Sequence, residues 1–297
     1  MRRGWRIFWE LVRETAVAFS RDKASMLAAG LAYYTLFALS PLLVLVVAVA
    51  GLVFGPAAAE GRLLAELERV VGPETAVFLQ NLLAQNLFRP SANIWATVIG
   101  GLVLLFGASG VFGQLKRALN AIWHVEPPPR HGVWQFVRTR LLSFLMVFIV
   151  GLLLVFTLAA SAVLAALRDW LAYWLPPLTP LWSLAGGLLP LLMMVVLLAI
   201  LFKILPDAEV AWRDVWLGAS VTAVLLGVGR YVISLYLRFT GVRSVYGVAG
   251  SLVVLLVWVY YSAQILLFGA EFTQVFANRY GSRILSESEV HSQEDNG

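Results

Sequence analysis

The sequence contains no cysteine. That removes a disulfide framework, thiolate metal sites and a cysteine nucleophile together. Charge is scarce as well: 13% of the 297 residues are Asp, Glu, Lys or Arg, against 60% hydrophobic, and mean hydropathy is +0.82. A soluble domain is about 25% charged and about 45–50% apolar. These charges cannot cover a water-facing surface, which excludes a soluble enzyme, a disordered chain and a fibrous repeat and leaves an integral membrane protein. Histidine is also rare, with His124 and His131 in one loop and His291 in the tail. No H-E-x-x-H, G-x-S-x-G, metal-spaced Asp/His cluster or phosphate-binding glycine loop occurs. Catalysis needs titratable groups brought together, so we expect no enzyme, no cofactor and no metal site.

What is present is long apolar runs. A spanning helix needs about 20 largely apolar residues, and six runs qualify: 26–54, 94–115, 141–167, 181–205, 215–237 and 246–276. They occupy just over half the chain and hold three charges, Lys203, Arg230 and Glu271. Barrel strands are about 10 residues of alternating character, which these runs are not. The expected fold is an all-α polytopic membrane bundle of six helices.

Outside the runs, residues 1–25 form a basic lead-in. Trp5, Phe8, Trp9, Val12, Ala16 and Phe19 make one helical stripe, with Arg2, Arg3, Arg6 and Arg13 off it. Two readings stand equal: a helix on the membrane surface, or one packed under the bundle. The first run is too long for a cleavable signal peptide. The loop 55–93 reads as two short helices, Ala57–Val71 and Glu74–Asn86, split by Gly72-Pro73, with an apolar face of Leu63, Leu64, Leu67, Val70 and Val71. The membrane domain is expected over 26–283, and 284–297 as a polar, disordered tail.

The basic residues are divided unevenly. The N-terminal lead-in, the 116–140 loop, the 203–214 loop and the stretch after the sixth run (Arg279 and Arg283) carry 15 of the 22 Lys and Arg. By the positive-inside rule, both termini are cytoplasmic and the 55–93 loop is extracytoplasmic. The net charge of +5 is thus topogenic and meets anionic lipid, not nucleic acid.

Polar residues inside the spans carry the functional interest, because charge in hydrocarbon usually faces the bundle interior. Arg230 shares a face with the small residues Ala219, Ala223, Gly227 and Ser234; it either faces protein or snorkels to the surface. Glu271 lies on a polar seam with Tyr260, Gln264 and Gln274, either as a transport group or as an interfacial anchor. The first run offers Tyr33, Tyr34, Thr35 and Ser40 ahead of Pro41, where hydroxyls could meet a freed carbonyl or line a path. Pro190 sits similarly in the fourth run, and the two prolines are the expected helix kinks. Three helices per half would suit an inverted repeat, on a low-complexity match. The glycines at Gly107, Gly110 and Gly113 are read as packing positions.

Several segments resemble one family. Leu31 to Leu43 (Leu-Ala-Tyr-Tyr-Thr-Leu-Phe-Ala-Leu-Ser-Pro-Leu-Leu) resembles the first helix of the YihY/BrkB family, and Ala118 to Trp123 the stretch after its second. Leu205-Pro-Asp207 with Trp212 to Trp216 resembles the loop before helix five. Tyr246 to Leu252, through Gln264 to Gly269-Ala-Glu-Phe272, resembles helix six. The likeness runs from about residue 20 to 283. It implies a six-helix bacterial inner-membrane protein of a family once labelled ribonuclease BN, a label generally regarded as a misassignment. The residues argue against a nuclease independently, since phosphodiester cleavage needs metal-binding carboxylates or histidines near a basic groove. A transporter or permease is the leading expectation. The alternative is a non-transporting envelope scaffold, with a homo-oligomer or an envelope-protein partner left open.

Overall fold

The computed structural model describes residues 2–55, 94–125, 179–239 and 250–281, the pair Leu285–Ser286, and scattered residues within 61–81 and 141–163. The regular elements are α1 (Arg2–Arg21), α2 (Ala24–Phe54), α3 (Ile94–Ile122), α4 (Thr179–Ile204), β1 (Ala208–Glu209), α5 (Trp212–Phe239), α6 (Gly250–Tyr280) and β2 (Leu285–Ser286). Helix dominates, as the apolar runs predict. Residues 141–163 are helical wherever they are described. Most of the 55–93 loop, including most of its two expected helices, lies outside the described residues. So does residue 287 onward.

Two helical stretches, Trp212–Ile233 and Leu252–Tyr280, are long and apolar enough to cross a membrane. Ala24–Leu39, Phe144–Thr157 and Leu188–Ile204 form shorter apolar stretches. Exposed apolar side chains fall in helical bands: Leu141, Leu145, Phe148, Leu152 and Phe156 make one, and Val224, Val228, Tyr231 and Leu235 on α5 another. Such continuous apolar faces suit lipid contact.

α6 is the hub, packing against α1, α2, α3 and α5, while α2 pairs closely with α3 and α4 with α5. Close approach depends on missing side chains. On α5 and α6, Gly218 faces Thr273 and Gly269 faces Thr222, so each threonine fills the space a Cβ would take on the opposite helix. Both hydroxyls bond back to a carbonyl four residues earlier, at 2.7 Å (Thr222 to Gly218) and 2.8 Å (Thr273 to Gly269). On α2 and α3, Gly107 faces Pro41, Gly110 faces Tyr34 and Gly30 faces Gln114. Gly107 and Gly110 of the second run therefore serve helix packing, while a Cβ at Gly113 would meet nothing within 4 Å.

The larger core gathers one end of each of α2 to α6. Ala24, Ala28 and Leu31 start α2; Leu115, Leu119 and Ile122 end α3; Leu198 and Phe202 end α4; Val215 and Ala219 start α5; Leu267 and Ala270 lie toward the end of α6. A smaller cluster farther along joins Ala32, Leu43 and Val47 of α2, Leu79, and Leu255 and Val259 of α6. Leu79 thus carries its part of the 55–93 loop onto the bundle.

α1 packs against α6 through Leu11, Thr15 and Ala18, with Phe19 against Phe268. Of the predicted stripe, Trp9 is 55% exposed and Ala16 is exposed. The buried face is rotated because Thr15 can be buried once its hydroxyl bonds the Leu11 carbonyl at 2.7 Å. β1 and β2 pair antiparallel, Ala208 with Ser286, tying the start of the tail to the α4–α5 loop.

Candidate functional site

At the end where the larger core sits, four segments converge. α3 ends at His124, which adopts a positive φ of 55° while Val125 N–H donates to the Asn120 carbonyl at 3.0 Å. This is a Schellman cap with histidine where glycine is usual. Lys23, φ 52°, makes the tight corner between α1 and α2 and leaves Asp22 beside that cap. His124 Nε2 lies 3.3 Å from Asp22 Oδ2, and its Nδ1 lies 2.8 Å from Gln274 Nε2 of α6. Arg21 donates to Asp22 Oδ1 at 3.0 Å. Its guanidinium is held above its ordinary pKa, first by that hydrogen bond, then by the charge of Asp22, with Glu271 adding a smaller share.

Neighbouring contacts fix the frame. Asn120 Nδ2 donates to Asp207 Oδ2 at 2.9 Å, and Asp207 N–H returns a bond to Asn120 Oδ1 at 3.0 Å. Lys116 reaches Asp207 Oδ1 at 2.6 Å. Lys203 donates to the Val210 carbonyl at 2.7 Å, and Trp123 Nε1–H to the Ala270 carbonyl at 3.1 Å.

Glu271 lies next to Ala270. It is 0% exposed, and neither carboxyl oxygen has a hydrogen-bond partner among the described residues. One turn on, Gln274 opens onto a cavity of about 770 Å³ between α1 and α6, lined also by Glu10, Arg13, Glu14, His124 and Arg279. Arg279 closes its rim, donating to Glu10 Oε2 at 3.0 Å and to Glu14 Oε1.

The residues expected from sequence divide. The α6 seam turns inward: Glu271 and Gln274 are buried, Tyr260 and Gln264 half-buried, and Tyr260 touches both core clusters. Arg230 is half-buried with its guanidinium 5.3 Å from the Tyr231 ring, while Gly227 is exposed. Arg230 and Glu271 are not brought together. Gly218 faces Thr273 and Gly229 faces Tyr261, a register that separates the two by about ten residues, about 15 Å along the axis. Tyr33 is 58% exposed against Phe37, and Tyr34 lies beneath Arg117. Thr35 bonds the Leu31 carbonyl and so does not serve the carbonyl that Pro41 frees. The side chain of Ser40 lies outside the described residues. α2 and α4 each continue as one helix through Pro41 and Pro190.

Asp22, His124 and Arg279 were missed as site residues. The sequence signal was present for His124, one of only three histidines in the chain, but nothing local announces that Asp22, about a hundred residues earlier, meets it.

The resembling segments thus lie together: Asn120 and Trp123, Asp207, and Ala270 with Glu271 share one end of the bundle. Comparison with known proteins agrees. The family profile described as Virulence factor BrkB matches residues 15–294. A UPF0761 membrane protein of Tolumonas auensis is 30% identical over 258 residues, covering 85% of this chain and 80% of that protein. One from Pseudomonas aeruginosa strain LESB58 is 28% identical over 262 residues, 88% of this chain and 61% of that protein. The UPF0761 membrane protein YihY of Salmonella typhimurium is 32% identical over 179 residues, 60% of this chain and 58% of that protein. The chain therefore spans about three fifths of the length of the Pseudomonas relatives it matches. No solved structure matches it. With apolar faces turned outward and a family profile covering nearly its whole length, the chain is a membrane protein belonging to the Virulence factor BrkB family.

Proposed function

We propose that this protein is a six-span bacterial inner-membrane transporter or permease with both termini in the cytoplasm. One observation carries the reading: a fully buried glutamate, unpartnered among the described residues, on a helix apolar enough to cross the membrane, one turn from a cavity bordered by charged side chains. Ionisable groups in such segments are costly and mark ion or substrate paths. The topology is supported by the larger core, where the starts of α2 and α5 meet the ends of α3, α4 and α6, as alternating spans require. The basic residues concentrate on the same segments. The α1–α6 cleft would face the cytoplasm, where anionic lipid meets the basic lead-in. No enzymatic step is part of this reading.

Purified protein in liposomes tests it, screened for movement of ions, solutes and lipids. Movement above protein-free vesicles that Glu271→Gln abolishes is expected. Equal flux in that variant would remove Glu271 from the mechanism. A scaffold without transport is the second reading, favoured by the exposed apolar Ile7, Trp9 and Val17 on α1; crosslinking from Trp9 in native membranes to one stable protein partner would support it.

A further inference from the structure

Glu271 is buried, and among the described residues both its carboxyl oxygens are unpartnered. An ionised carboxylate there would lack the donors that make buried charge tolerable. Arg21 acts on it through space but spends its hydrogen bonds on Asp22. A metal cation is a poor occupant, because hard cations gather several oxygen ligands. The Thr222 and Thr273 hydroxyls are turned onto helix carbonyls, Trp123 takes the Ala270 carbonyl, and no cluster of three His, Asp or Glu suits a metal among the described residues. A proton needs none of these ligands.

We propose that Glu271 is a reversible proton-binding site, loaded from the α1–α6 cavity through His124 and Asp22. This names the coupling ion of the transport reading and rests on it. Exposure falls along the path: the His124 side chain is 51% exposed, Asp22 9%, and Glu271 fully buried. With Gln274 Nε2 donating to Nδ1, the neutral imidazole carries its proton on Nε2, toward Asp22. As the Gln274 amide turns its oxygen toward Nδ1, cavity water protonates that nitrogen to give an imidazolium; its Nε2 proton then passes to the Asp22 carboxylate, leaving a neutral imidazole, and Asp22 hands its proton to Glu271. Net, one proton leaves the cavity and one carboxylate becomes a neutral acid.

The charged surroundings are few. Arg21 and Asp22 come from the α1–α2 corner, and His124 from the end of α3. On α3, Lys116 is bound to Asp207, and Arg117 to Gln114. α2 has no charged residue along its length. On α5, buried Asp214 faces Gly281 and Arg213 is exposed.

Infrared difference spectroscopy on the full chain in lipid tests this directly. Wild type should show a protonated-carboxyl C=O band near neutral pH that shifts in deuterated water. Glu271→Gln should lose that band, and Glu271→Asp should move it, which guards against a misfolded glutamine variant. Asp22→Asn and His124→Gln should keep the band but slow its deuterium exchange. A band unaffected by Glu271→Gln, or exchange unaffected by both relay variants, overturns the proposal. Because the readout needs no transport, it fails or stands separately from the flux screen: flux without the band keeps the transporter and removes the proton.

Discussion

His124 shows how much one side chain can cost and still be placed. A non-glycine residue in the left-handed region sacrifices about 1–2 kcal/mol, and its contacts to Asp22 and Gln274 offset about 1 kcal/mol each. We predict that His124→Ala lowers stability while His124→Gly is more stable than the alanine variant by about 1 kcal/mol, because glycine relaxes the cap. Thermal unfolding in detergent checks the order of the two. Glu271 is the opposite case, since nothing local in the chain marks it except its rarity. Counting charges within apolar runs found it. The Asp22–His124–Gln274 contacts were not legible, because they join positions about a hundred and more apart in sequence, through a corner and a cap whose backbone geometry periodicity does not record. Arg230 was legible as an intramembrane charge, but its depth relative to Glu271 followed only from the α5–α6 register.

Among the elements, the helices were the legible part. Apolar runs placed five of the described helices to within a few residues at most boundaries, and α3 and α6 overran their predicted ends as amphipathic extensions into the polar end of the bundle. On α1, Thr15 joins the buried face because a threonine that satisfies itself on its own backbone reads as polar in sequence and packs as apolar. The α5–α6 crossing makes the most exacting demand. A methyl group at Gly218 or Gly269 would collide with Thr273 or Thr222, so Gly218→Ala and Gly269→Ala should each cost about 1–3 kcal/mol by overpacking. Gly269→Ala combined with Thr222→Gly should be less damaging than the sum of the single changes, the mark of direct contact in a double-mutant cycle. Additive losses in detergent melts would place the strain elsewhere.

For the molecule as a whole, scarcity of charge carries two messages. It identifies the membrane class, and the distribution of what remains sets the proposed orientation. The absence of native cysteine makes the orientation simple to test. Ser91→Cys and Ser244→Cys should react with a membrane-impermeant maleimide on intact spheroplasts, and Ser292→Cys only after permeabilisation. The reverse pattern would invert the topology and move the α1–α6 cavity to the other face. The central claim is that a buried carboxyl at the inner end of α6 serves movement across the membrane. Its most direct test is flux into liposomes carrying wild type or Glu271→Gln at matched protein density. Wild type should move at least one solute or ion above empty vesicles and the variant should not; equal rates in the two would contradict the account.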